Sequence, residues 1–182
     1  MAQRQQVPGQ HPVMTLIGQA VMLHRAGDRE EARNRLAALW TDPGAGAGPL
    51  HRCTIAHYLA ATQDDAEAAL RWDLVALAEA DAAVADAAVP GDAVGRPLPG
   101  PPPAPHTARG LYPSLYLRLA GDHAALGNAT AARHELGRAR HAAGRLADDD
   151  HGRRVRTAID RLERDLREGV TGRAPADGHT DQ

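Results

Sequence analysis

The stretch HRCTIAH contains a cysteine and a histidine, Cys53 and His57, four positions apart. On a helix this spacing puts both side chains on one face, where a thiolate and an imidazole could bind one metal ion. Zinc needs three or four ligands, so a third would have to come from His24, His51 or His123 on a neighbouring helix. No HExxH motif accompanies the pair, and no adjacent acid could orient His57 for nucleophilic catalysis. We therefore expect packed or partner-facing side chains here, and a small metal-binding protein or enzyme using His24, Cys53 and His57 is the alternative.

Other motifs that carry chemistry are missing from the sequence. There is no glycine-rich phosphate-binding loop and no serine nucleophile elbow. The acidic run at 148–150 is typical of a helix start, because no spaced oxygen ligands follow it as in a calcium loop. We expect no catalytic residue, no metal and no cofactor.

Composition limits the classes of partner. The 182 residues carry a formal net charge of -2, and all 21 basic residues are arginine. This balance gives no general attraction to nucleic acid or to an anionic membrane, so we expect neither as a partner. The single cysteine, Cys53, excludes an intramolecular disulfide. No apolar run reaches the length of a membrane span and no secretory leader is recognisable, so we expect a cytoplasmic protein.

Apolar residues recur at helical spacing, and no segment alternates with the period of a strand, so the sequence predicts an all-α fold. Asp28 with Glu31, and Asp64 with Glu67, have the spacing of helix-capping pairs. The proline-rich stretch 86–110 predicts a linker, and 1–11 and 169–182 predict disordered tails around one domain at 12–168. The predicted helices cover about 12–27, 28–42, 49–62, 65–85, 111–126, 128–145 and 151–168.

Small and large apolar residues recur around the predicted helix–helix turns. Ala120, Gly127, Ala132 and Leu136 lie at offsets that are repeated around Gly27 and, less closely, around Gln63. A small residue in each helix lets the pair approach closely, and a glycine can end the first helix in a left-handed conformation. One such pair cannot bury its apolar face alone, so about three are expected to stack.

With these offsets the chain resembles the tetratricopeptide repeat family, and in particular small actinobacterial members of unknown function. The match is best over 113–143, good over 13–41 and degenerate over 49–78, and His123 stands where the family usually has tyrosine. The resemblance implies a short right-handed solenoid of about three helix–turn–helix pairs, ended by a capping helix at 151–168. It also implies a concave groove, lined by the first helix of each pair, that receives a peptide or a partner protein.

The resemblance implies the following groove residues: Ile17, Val21, His24, Arg25, Cys53, His57, Ser114, Leu117 and Gly121. Arg25, and at the edges Arg52 and Arg118, are the candidates for binding a carboxylate or phosphate. The lysines with which some family members clamp a C-terminal carboxylate are absent. We therefore expect a non-catalytic adaptor for a protein or peptide partner. Self-association is also open, since 86–110 could dock into a groove of its own or of a neighbouring copy.

Overall fold

The structure is a computed structural model, and it describes residues 12–42, 48–88 and 106–169. All regular secondary structure within these ranges is helical, which confirms the all-α prediction. The predicted tail 1–11, residues 170–182 of the other tail and residues 89–105 of the predicted linker lie outside them. The helices are α1 (Pro12–Arg25), α2 (Arg29–Thr41), α3 (Pro49–Ala61), α4 (Ala66–Ala88), α5 (His106–Ala125), α6 (Ala129–Ala143) and α7 (Asp150–Glu168).

Two helices extend into the stretch that the sequence assigns to the linker. α4 continues to Ala88 and α5 begins at His106, so residues 86–88 and 106–110 are helical. The sequence predicts the start of α5 at 111–114, after the proline-rich stretch, and Gly110 and Pro113 are residue types that are unfavourable inside a helix. Pro113 is instead an interior residue of α5, and its ring is almost fully buried. Burial of that apolar ring offsets the hydrogen bond that its missing N–H cannot make.

The turns α1–α2 and α5–α6 share one local structure. Gly27 has φ 92° and Gly127 has φ 74°, so both glycines adopt the left-handed conformation predicted for them. The next residue caps the following helix in each case. The Asp28 side chain accepts from the N–H of Glu31 at 3.3 Å, and the Asn128 side chain accepts from the N–H of Ala131 at 3.2 Å.

The turn α3–α4 is built differently and corrects the sequence prediction. The capping side chain is Asp65, which accepts from the N–H of Ala68 at 2.9 Å, one residue later than the predicted cap Asp64. Asp64 instead accepts a hydrogen bond from Arg33 of α2 at 2.7 Å. Arg33 also donates to the Thr62 carbonyl at the end of α3, at 3.0 Å from Nε. Arginines of α2 therefore stabilise the C-terminal end of α3, where no glycine is present. α4 starts one residue later than the sequence predicts.

Extensive contacts join each helix to the next in chain order, and also join α1 to α3 and α5 to α7. The core is assembled largely from alanine and leucine, as the scarcity of aromatic residues predicts. α7 buries Val155, Ile159 and Leu166 in one cluster with apolar residues of α5 and α6. The predicted amphipathic last helix is thus observed, with its apolar face against the third hairpin.

Candidate functional site

The late start of α4 brings an aspartate into a position that is apolar in the other hairpins. Eight residues after their capping residues, α2 has Leu36 and α6 has Leu136, and both are buried. The same count from Asp65 leads to Asp73, which is fully buried at 0% exposure. A buried charge at a leucine position is uncommon and calls for a specific partner.

Asp73 lies at the junction of three helices. From α5, the guanidinium of Arg118 donates through Nε to Asp73 Oδ2 at 3.1 Å. From α3, the Nδ1 atom of His57 lies 3.5 Å from Asp73 Oδ1. The side chains of Arg118 and His57 are 36% and 29% exposed, so each connects the buried carboxylate to the protein surface.

A second carboxyl, that of Asp122, adjoins Asp73. Asp122 lies one helical turn beyond Arg118 on α5 and is half-buried. Burial, followed by the charge of Asp73, raises the pKa of Asp122 to about 7, and the charge of Arg118 acts in the opposite direction. We call Asp73, Asp122, Arg118 and His57 the carboxyl cluster.

Hydrogen bonding within the carboxyl cluster is incomplete. Asp73 Oδ1, Asp122 Oδ2 and His57 Nδ1 are all buried, and none of them has a hydrogen-bond partner among the described residues. The two carboxyl groups share a single arginine, so one negative charge is left without a cation when both are ionised. A proton bound by one carboxyl would turn their contact into a hydrogen bond, which gives the cluster the chemistry of a proton-binding site.

A second polar contact joins α5 to α4 at a distance from the cluster. The hydroxyl of Tyr112 donates to Asp81 of α4 at 2.6 Å. Burial and this hydrogen bond raise the pKa of Tyr112 above its usual range, so the phenol remains a donor. Tyr116, one turn further along α5, stacks on Tyr112 with ring centroids 5.6 Å apart and lies under the guanidinium of Arg138 from α6. Polar side chains therefore attach α5 to α4 at two separate points.

The structure separates the groove residues predicted from the sequence into three groups. Ile17, Val21 and Cys53 are buried in the core, at 2%, 8% and 1% exposure. Arg25 is exposed. The others are half-buried: His24, His57, Ser114, Leu117 and Gly121. The periodicity of the apolar residues predicts that these side chains lie on α1, α3 and α5. It does not predict which of the side chains the neighbouring helices cover.

The Cys53–His57 pair is not arranged as a metal site. Among residues 12–42, 48–88 and 106–169, no group of three His, Cys, Asp or Glu side chains is placed to hold a metal ion. Burial, with the charges of Glu79 and Asp73, raises the pKa of the Cys53 thiol to about 12. The thiol therefore stays protonated and packs as a small apolar group, while His57 turns to Asp73.

Two of the three arginines singled out as anion-binding candidates, Arg52 and Arg118, make internal contacts. Arg52 donates to Glu79 at 2.7 Å, and its guanidinium lies 3.9 Å from the centroid of the Trp40 ring. Arg118 is held by Asp73 as described above. Both act between helices, and this role replaces the expectation that they stand free at a groove edge.

A cleft of about 280 Å³ lies between α6 and α7, lined by Arg133, Leu136, Gly137, Arg140, Glu163, Leu166 and Arg167. The arginines that line this cleft make hydrogen bonds and ion pairs with groups of the protein itself. Arg167 donates to Glu163 at 2.6 Å, Arg140 contacts the same carboxylate, and Arg133 donates to the Leu166 carbonyl at 3.2 Å. The hydrogen bond from Arg140 holds the pKa of Glu163 below its usual range. These contacts stabilise the attachment of α7.

No helix in the described ranges has both the length and the apolar character that crossing a membrane requires. Comparisons of the chain with protein-family models, with curated proteins and with solved structures find no match.

Proposed function

We propose that the protein is a non-catalytic, cytoplasmic adaptor that binds a peptide segment or a partner protein along the inner faces of α1, α3 and α5. In this proposal the three hairpins form a short right-handed solenoid like that of tetratricopeptide repeat proteins, with α7 as its capping helix. The observation that carries the proposal is the repeated hairpin. The α1–α2 and α5–α6 turns have the same left-handed glycine and the same side-chain cap, and Ala32 and Ala132 are buried at matching positions.

Contacts between helices agree with this arrangement. α1 packs on α3, as expected for the first helices of neighbouring hairpins, and α5 packs on α7, as expected for a capping helix. The second and third hairpins contact each other mainly through α4 and α5. The inner helices carry half-buried side chains that a ligand could still reach, among them His24, Ser114 and Leu117. Such a surface suits an extended segment that contacts several helices through a few side chains each.

Gly121 and Gly137 supply a matched test of the binding face. Both are helical, and a Cβ atom added at either would meet nothing within 4 Å, so a long side chain can be introduced without a backbone clash. Gly121 lies on the inner helix α5, and Gly137 lies on the outer helix α6. We expect Gly121→Arg to obstruct the inner face and Gly137→Arg to leave it open.

The measurement is affinity purification with quantitative mass spectrometry, using the wild-type protein and both variants after circular dichroism has shown that each is folded. Partners retained by the wild type and by Gly137→Arg, and lost by Gly121→Arg, would support the proposal. Equal retention by all three proteins would contradict it. So would the failure of the wild type to retain any protein above a control without bait.

A further inference from the structure

The contact of α5 with α3 and α4 depends on a charge balance that is unfavourable when every acid is ionised. Asp122 is faced by Asp73 from α4, by Arg118 from its own helix and, beyond Asp73, by His57 from α3. Cys53 of α3 also lies near Asp73, but its thiol is neutral. Two carboxylates and one guanidinium leave a negative charge without a cation when His57 is neutral, and burial of Asp73 makes this charge unfavourable.

One bound proton removes this imbalance. A protonated Asp122 is neutral and can donate a hydrogen bond to Asp73. Asp73 Oδ1 is buried and accepts no hydrogen bond from the residues that the structure describes, and the nitrogen placed beside it is His57 Nδ1 at 3.5 Å. The remaining charges, Asp73 and Arg118, then form a single ion pair. The proton therefore acts as a component of the helix–helix contact.

We propose that the carboxyl cluster is a proton-dependent clasp, in which a proton shared by Asp73 and Asp122 holds α5 against α3 and α4, and whose loss loosens that contact. The equivalent contacts are those of α2 with α3 and of α6 with α7. At the position that Asp73 occupies in α4, α2 has Leu36 and α6 has Leu136, and neither leucine can bind a proton. The Tyr112–Asp81 hydrogen bond is separate from the cluster and remains when the clasp opens. The opening is thus local to the middle of α5. The raised pKa of Asp122 places the change near neutral pH.

Hydrogen exchange of the amides of α5, measured as a function of pH, tests the clasp. After correction for intrinsic exchange rates, we expect the opening equilibrium of residues 115–124 in the wild type to rise on the order of tenfold between about pH 5 and about pH 8. Asp122→Asn keeps a side chain that can donate to Asp73 but cannot lose a proton, so its opening equilibrium should stay constant over this range.

Two further variants separate the clasp from other causes of pH dependence. His57→Gln removes the other titratable side chain next to Asp73 and should retain a pH-dependent rise, as the wild type does. Asp86→Asn makes the same chemical change at an exposed position of α4 and should also behave like the wild type. A pH dependence that persists in Asp122→Asn, or that disappears in His57→Gln, would overturn the proposal.

A direct titration covers the case in which Asp122→Asn does not fold. The carboxyl carbon of Asp122 in the wild-type protein can be followed by NMR across the same pH range. A midpoint near neutral pH supports the clasp, and a midpoint within about one pH unit of the ordinary aspartate value contradicts it.

Discussion

Replacing Asp73 by leucine should not destabilise the fold, although Asp73 is fully buried and ion-paired. A buried leucine side chain contributes about 2–3 kcal/mol. The lost charge-assisted hydrogen bond from Arg118 is worth about 1.5–3 kcal/mol, but the desolvation cost of the carboxylate disappears with it. Arg118 is 36% exposed and can turn to water. We therefore expect Asp73→Leu to leave the free energy of unfolding unchanged or to raise it by up to ~2 kcal/mol.

Removing the other partner of the ion pair should have the opposite effect. Arg118→Ala leaves the Asp73 carboxylate buried without a cation, and the expected loss of stability is about 3–5 kcal/mol. Leu36→Asp is the reciprocal control, because it places a carboxylate at the matching position of α2, inside a cluster of apolar residues from α1, α2 and α3. Guanidinium denaturation followed by circular dichroism compares the four proteins. A loss above ~2 kcal/mol in Asp73→Leu, with a loss below ~1 kcal/mol in Arg118→Ala, would refute this account of the cluster.

Four further changes test other parts of the structure. The folded state raises the pKa of Asp122 from 3.8 to about 7, so this group stabilises the fold at low pH and its contribution is lost as pH rises to about 7. In the wild type, the free energy of unfolding should fall by at most ~4 kcal/mol over this range, and by about half of that because the carboxyl is only half-buried. Asp122→Asn should remove this pH dependence from denaturant titrations. Gly152→Ala should destabilise by about 1–3 kcal/mol in thermal melts, because its Cβ would lie 2.2 Å from the Ala147 carbonyl oxygen. Gly137→Ala, in open space within α6, should instead stabilise by about 0.5–1 kcal/mol in the same melts. Arg33→Ala should cost about 0.5–1.5 kcal/mol, measured by denaturation, because the Thr62 carbonyl and Asp64 lose the hydrogen bonds from Arg33. Arg29 still donates to the Thr62 carbonyl in this variant, which limits the loss.

Much of the helical structure could be predicted from local sequence signals, because periodicity and capping act within a few residues. Asp28 and Gly27 are recognised in this way, and the structure has them as predicted. The start of α4 could not be recognised, since Asp64 and Asp65 both satisfy the same local rule. Long-range contacts decide between them, because Arg33 of α2 binds Asp64 and leaves Asp65 as the cap. That choice then determines that Asp73 is buried.

The candidate site was less predictable than the helices. Ala69 lies four residues before Asp73, and Ala76 lies three residues after it. This spacing places the three residues on one helix face and indicates a buried acid on an apolar face. Its partners come from α3 and α5, which are distant in the chain, and no short-range pattern connects them. The burial of the predicted groove residues could not be predicted for a related reason. Periodicity places Ile17 and Cys53 on the first helices of their hairpins, but their burial depends on how the neighbouring helices lie over them.

The three equivalent contacts between a hairpin and the helix that follows it differ in one respect that bears on function. Leu36 shares an apolar cluster with Ile55 and Leu59 of α3, and Leu136 shares one with residues of α7. Apolar contacts of this kind respond little to pH, salt or a charged ligand. The contact at Asp73 is the one that a proton can alter, and a leucine there would make it as permanent as the other two. An aspartate at this position therefore lowers the stability of the contact between α4 and α5 and allows that contact to open. α5 is one of the helices to which we assign partner binding.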